Sequence, residues 1–111
     1  MQPAKLDIAK LPTSNGTLVA KLTGKLSFET IRGFLQDLRP VDAEKLVLDM
    51  SDVSFLDSAG VGALVQLFVH RRGKSQKFAM GALTPQGAAV MQVAGLTKLI
   101  PTFPTVEEAS K

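Results

Sequence analysis

Leu46-Val47-Leu48-Asp49-Met50, followed past a polar stretch by Asp57-Ser58-Ala59-Gly60-Val61-Gly62, sets a short apolar strand ahead of a helix start. The five residues 46–50 read as a buried strand. The residues from Ser51 to Ser58 read as a loop that carries Val53, Phe55 and Leu56. A helix is expected from about Ala59 to Arg72, because Val61, Leu64, Val65 and Phe68 recur at i, i+3, i+4 and i+7. Arg71 and Arg72 fill its last turn, where cations complement the helix dipole, and Gly73 suits a left-handed cap. A strand that runs through a short loop into a helix is half of a βαβ unit, which places the chain in the α/β class.

The neighbouring segments extend that pattern. Upstream, Leu6, Ile8 and Leu11 alternate with polar residues, Asn15-Gly16 is a turn signal, and Leu18, Ala20 and Leu22 alternate again. This is an antiparallel hairpin, ended by Gly24. Phe28, Ile31, Phe34, Leu35 and Leu38 then form a helical stripe, with Ser27 as N-cap and Pro40 as the stop. Downstream, Lys77–Leu83 reads as a strand, and Thr84-Pro85 opens a third helix that ends at Gly95. Leu99–Phe103 is a short last strand and Thr105–Ser110 a terminal helical turn. The expected architecture is α/β: one small domain over residues 1–111, an N-terminal hairpin and then a largely parallel mixed sheet flanked by helices. Sites in such sheets favour the loops at the carboxyl ends of the strands, where Ser51–Ser58 lies.

Composition narrows the chemistry. The 111 residues contain no cysteine and one histidine, His70, so no disulfide, thiol or multi-histidine metal centre is expected within one chain. The charge of +3 comes from scattered lysines and arginines. Their densest run, Arg71, Arg72, Lys74 and Lys77, reads as a helix end and a solvated loop, and no nucleic-acid partner is expected. The N-terminal Met1-Gln2-Pro3-Ala4-Lys5 has no apolar core of a leader peptide. The longest mostly apolar stretch, Ala59–Val69, is broken by Gln66 and falls short of the ~20 residues of a membrane span. A cytoplasmic domain without membrane insertion is expected.

Within Asp57–Gly62, Ser58 is a candidate N-cap, and Asp57 either caps the helix, holds the loop through backbone amides or meets a partner. Gly60 and Gly62 each cost a helix roughly 1 kcal/mol against alanine. Either a neighbouring strand packs closely there, or a partner does. On the second alternative, Gly60→Leu gives a folded domain that binds poorly. A nucleophilic Ser58 needs a base in reach, and His70, twelve residues along the same helix, is about 18 Å away. No Gly-x-Ser-x-Gly elbow or Walker loop is present, so no catalytic residue and no cofactor or metal is expected.

Asp49, Val53 and Phe55, followed by Asp57-Ser58-Ala59-Gly60-Val61, resemble the signature of STAS domains, the anti-sigma factor antagonist (anti-anti-sigma factor) family. Gly24-Lys25-Leu26, Thr84-Pro85 and Gly95-Leu96 are similar to further family positions, so the resemblance runs over roughly residues 5–108. It implies a non-enzymatic binding module. The family's serine in Asp-Ser-x-Gly, here Ser58, is phosphorylated by an anti-sigma factor with serine kinase activity, which the unmodified form binds, freeing a sigma factor. A metal-dependent serine/threonine phosphatase reverses the modification. The resemblance thus makes Ser58 the phosphorylation site. A strand-end loop beside a bare helix start points to Ser51–Gly62 as the face a partner covers, with Phe55 or Leu56 as apolar contact, Asp57 as polar contact, and Ser58, Ala59 and Gly60 beside them; Phe55, alternating with Ser54, also reads as core. A monomer or weak dimer is expected. Ser27 stands where the family commonly has an acidic residue, so a partner contact does not carry over there. The alternative is a STAS scaffold in a signalling complex or a transporter-associated assembly without a sigma factor.

Overall fold

The computed structural model describes residues 4–13 and 15–111; Met1-Gln2-Pro3, which begin the stretch read against a leader, and Ser14 of the hairpin turn lie outside the described residues. The elements are β1 (Leu6–Pro12), β2 (Thr17–Leu26), α1 (Ile31–Leu38), β3 (Lys45–Leu56), α2 (Ser58–Gly73), β4 (Lys77–Gly81), α3 (Pro85–Val93), β5 (Thr102–Phe103) and α4 (Val106–Ala109). One sheet has the order β1-β2-β3-β4-β5, with β1 antiparallel to β2 and the remaining pairs parallel. From β2 onward the order advances in one direction. Crossovers of one hand then put α1, α2 and α3 on the same face. There the core forms, from Leu22, Leu46, Leu48, Met50 and Met80 of the sheet against Phe34, Leu38, Leu64, Leu67 and Met91 of the helices. Across the sheet, Val47 and Ala79 are covered by Ala109 of α4. No helix among the described residues is long and apolar enough to cross a membrane.

The expected α/β order, the hairpin and the parallel crossovers are all present. Thr84 and Thr105 cap α3 and α4 by accepting from Gly87 N–H (3.1 Å) and Glu108 N–H (3.1 Å). Leu96 N–H bonds Met91 O at 3.0 Å, and its side chain packs on the core.

Four local expectations are corrected. The Ser51–Ser58 loop is mostly strand: β3 continues to Leu56, because β2 also runs past Gly24 and pairs with it through Leu26↔Leu56. The polar residues there point outward from a paired backbone while Val53 and Leu56 are buried. Helix α1 begins at Ile31 and not at Ser27. The Thr30 hydroxyl accepts from Ser27 N–H (3.0 Å) and donates to Lys25 O (2.7 Å), which folds 27–30 into a turn and throws Phe28 off the apolar stripe. Beyond α2, Ser75 rather than Gly73 takes the left-handed conformation, with φ 58°.

Arg71 is the fourth. Read as a solvated helix-end cation, it is 1% exposed. Its Nε donates to Lys77 O (3.0 Å), Nη1 to Val41 O (3.1 Å) and Nη2 to Ala43 O (2.6 Å). The guanidinium fork meets three carbonyls at the foot of the sheet: Val41 O and Ala43 O lie ahead of β3, and Lys77 O belongs to the first residue of β4.

Candidate partner-docking site

Strands β2 and β3 end side by side at Leu26 and Leu56, and the chain then turns through Asp57 into α2. Asp57 is extended (φ −110°, ψ −177°), so its carboxylate can fold over the first turn of the helix. Oδ1 accepts from Gly60 N–H at 2.8 Å and Oδ2 accepts from Phe28 N–H at 3.1 Å. Asp57 is therefore both the N-cap and the tie between the β2–α1 turn and the start of α2. Ser58 is not the cap but the first helical residue, and it is exposed. Its amide and that of Ala59 have no intrahelical acceptor to bond, because they lie in the first turn. Asp57→Ala should lower stability by roughly 1–3 kcal/mol, since two amides lose their acceptor together. Thermal unfolding measures it, and a change within error would mean the tie contributes nothing.

The candidate residues separate by accessibility. Phe55 is 43% exposed and stands beside Ser58 and Asp57 at the surface, with Ala59 half-buried. Leu56, expected as a contact, is 1% exposed and belongs to the core with Val53; a register shift against β2 between Val53 and Phe55 brings both to the helix face. Gly60 is buried too: a Cβ there would lie 2.2 Å from Leu26 O and 2.9 Å from Leu56 Cδ1. Its missing side chain serves the close approach of the end of β2, so neither residue presents a surface to a partner. Gly62 is the opposite case, exposed with nothing within 4 Å of a built Cβ. His70, in the last turn of α2, has a buried Nε2 without a hydrogen-bond partner.

Two surface features escape a sequence reading. Phe28 is 76% exposed and held next to Asp57 by its own amide; the helical spacing had assigned it to the core. An open apolar groove of about 640 Å³ runs beside Ser58, walled by Val61 and Gly62 of α2 and by Ala89, Val90 and Val93 of α3. Helix α3 is apolar on nearly every side, yet buries only Gly87 and Met91, and Val93 is 90% exposed. An apolar face left without a core to join was the available signal.

Burial and the neighbouring Lys77 lower the pKa of Lys45, and burial lowers that of Arg71 against the opposing pull of Asp42. Both groups lie at the N-terminal end of the parallel strands. No cluster of three or more histidine or acidic side chains suited to a metal occurs among the described residues. What remains at the strand ends is an exposed hydroxyl framed by Phe28, Phe55 and an apolar groove, an arrangement suited to binding.

Known proteins share this fold. The structure is similar to an anti-sigma factor antagonist from Mycobacterium paratuberculosis, with TM-score 0.85 and 26% identity over 95% of this chain and 91% of that one. The phosphorylated form of the Bacillus cell fate determinant SpoIIAA shares the fold at TM-score 0.71 and 20% identity, over 93% of this chain and 96% of that one. A sulfate transporter family protein from Wolinella succinogenes does so at TM-score 0.78 and 13% identity, over 90% and 86%. The STAS domain model matches residues 9–109, nearly the whole sheet and all four helices, and the chain belongs to the STAS domain family.

Proposed function

We propose that this chain is a cytoplasmic anti-sigma factor antagonist that docks an anti-sigma factor with serine kinase activity, and that phosphorylation of Ser58 switches docking off. The observation that carries the reading is the placement of Ser58. It is exposed at the first position of a long helix, does not cap it, and forms part of the wall of an apolar groove. Phosphate adds about −1.5 to −2 charges at neutral pH. The helix start tolerates it, since unpaired amides and the dipole's positive end favour an anion. A partner seated on the groove does not, because it would have to desolvate a dianion beside apolar walls and the Asp57 carboxylate.

Incubation with the kinase and ATP, followed by mass spectrometry, tests this. Phosphate is expected at Ser58, with affinity falling by more than about a hundredfold, equivalent to ~3 kcal/mol. A serine/threonine phosphatase restores binding. Ser58→Ala should take up no phosphate and bind as the unmodified form does. Its stability should change by a few tenths of a kcal/mol, in place of the ~1 kcal/mol expected had Ser58 been the cap. Phosphate confined to another residue, or equal affinity of both forms, overturns the reading. The similarity to a sulfate transporter family protein favours a second reading, a STAS scaffold whose docking ignores the state of Ser58.

A further inference from the structure

Strand β3 outruns β4. The two pair only as far as Asp49↔Gly81, so the stretch up to Leu56 has β2 on one side and, among the described residues, no strand on the other. In a parallel sheet the N–H and C=O of one residue point to the same neighbour, and the last such pair on the open side belongs to Leu56. Both groups are met by one side chain from α3. Gln86 Oε1 accepts from Leu56 N–H at 3.0 Å, and Gln86 Nε2 donates to Leu56 O at 2.8 Å. A primary amide presents the same donor–acceptor pair as a strand residue, so Gln86 stands in for the missing partner strand. Gln86 itself is exposed, and packing does not require an amide there.

The position of this clip matters. Leu56 is two residues ahead of Ser58, and Gln86 lies on the helix that supplies the second wall of the groove through Ala89, Val90 and Val93. We propose that Gln86 is a positioning residue: its amide sets the exit angle of β3, and so holds the Asp57–Ser58 turn in register with α3. The two walls of the groove are then one rigid unit. The consequence for switching rests on the proposed function, but the clip can be read in the isolated protein, so a failure of Ser58 phosphorylation leaves its test intact.

Three forms are compared by backbone amide NMR: wild type, Gln86→Met and Gln86→Glu, each variant against the wild type at the same pH so that other titrations cancel. Gln86→Met keeps length and removes both bonds. Exchange at Leu56 N–H should then be at least about tenfold faster. Resonances of residues 57–62 and of 89–96 should broaden together, with Tm several degrees below the wild type, since Leu56 N–H and O both lose their partner. Gln86→Glu at pH 7.5 can accept from Leu56 N–H but turns a second oxygen toward Leu56 O. At pH 4.5, just above the ordinary Glu value of about 4.3, about two-fifths of the carboxyls are protonated and gain a donor, so the resonances should return part of the way toward wild type. A purely structural surface residue would show no such recovery. Unchanged exchange at Leu56, or faster exchange there with residues 57–62 and 89–96 unaltered, overturns the proposal.

Discussion

Arg71→Met should melt about 20 °C below the wild type, corresponding to roughly 3–5 kcal/mol of lost stability. The substitution keeps much of the apolar volume and removes the donors to Lys77 O, Val41 O and Ala43 O. A buried carbonyl left unpaired costs about 1–3 kcal/mol; Val41 O and Ala43 O lose their partner together, and Lys77 O loses its side-chain donor. Some of that loss is recovered, because the guanidinium no longer has to be desolvated. Against a total stability of about 5–15 kcal/mol the remainder is a large fraction. Arg71→Lys should recover little, since a single ammonium on a shorter stem cannot reach three carbonyls arranged around a planar fork. Calorimetry or circular dichroism checks both variants. A Tm for Arg71→Met within a few degrees of the wild type would falsify the claim that this side chain ties the foot of the sheet together.

Gly60→Ala and Gly62→Ala should move stability in opposite directions, although both replace a glycine in the first turns of one helix. At Gly60 the new methyl meets Leu26 O at 2.2 Å and Leu56 Cδ1 at 2.9 Å. The obstacle is backbone at the end of a paired strand and cannot swing aside. The cost should reach or exceed the upper end of the ~1–3 kcal/mol typical of overpacking, well above the ~1 kcal/mol gained in helix propensity. Gly60→Leu should be worse still and should fail to give a native domain, in place of the folded, poorly binding protein that the partner-approach alternative implied. At Gly62 nothing opposes the methyl, and about 0.5–1 kcal/mol of stabilisation is expected. Denaturant unfolding of the pair decides the matter; destabilisation by both to the same degree would mean that the close approach to Leu26 is not the cause.

Read alone, the amino-acid sequence determined what depends on neighbours along the chain. The order of strands and helices follows from apolar periods of two and 3.6, the hairpin from Asn15-Gly16, and two helix starts from Thr84 and Thr105. The exposed serine at the start of α2 was legible for the same reason, since Asp57-Ser58-Ala59-Gly60 carries its capping chemistry locally, even though the cap proved to be Asp57. Contacts between distant parts of the chain were decided only in the tertiary structure. Whether Leu56 and Gly60 face a partner or the core depends on where Leu26 ends β2, thirty or more residues earlier. Arg71 looks like any helix-end cation until the carbonyls of Val41 and Ala43 are brought against it. Phe28, Gln86 and the open face of α3 join Ser58 in the same way, through the close approach of three elements at one end of the sheet. Periodicity and capping act over one or two turns of chain and can be read in order, whereas burial and hydrogen-bond partners at this site are set by which segments the sheet order places side by side.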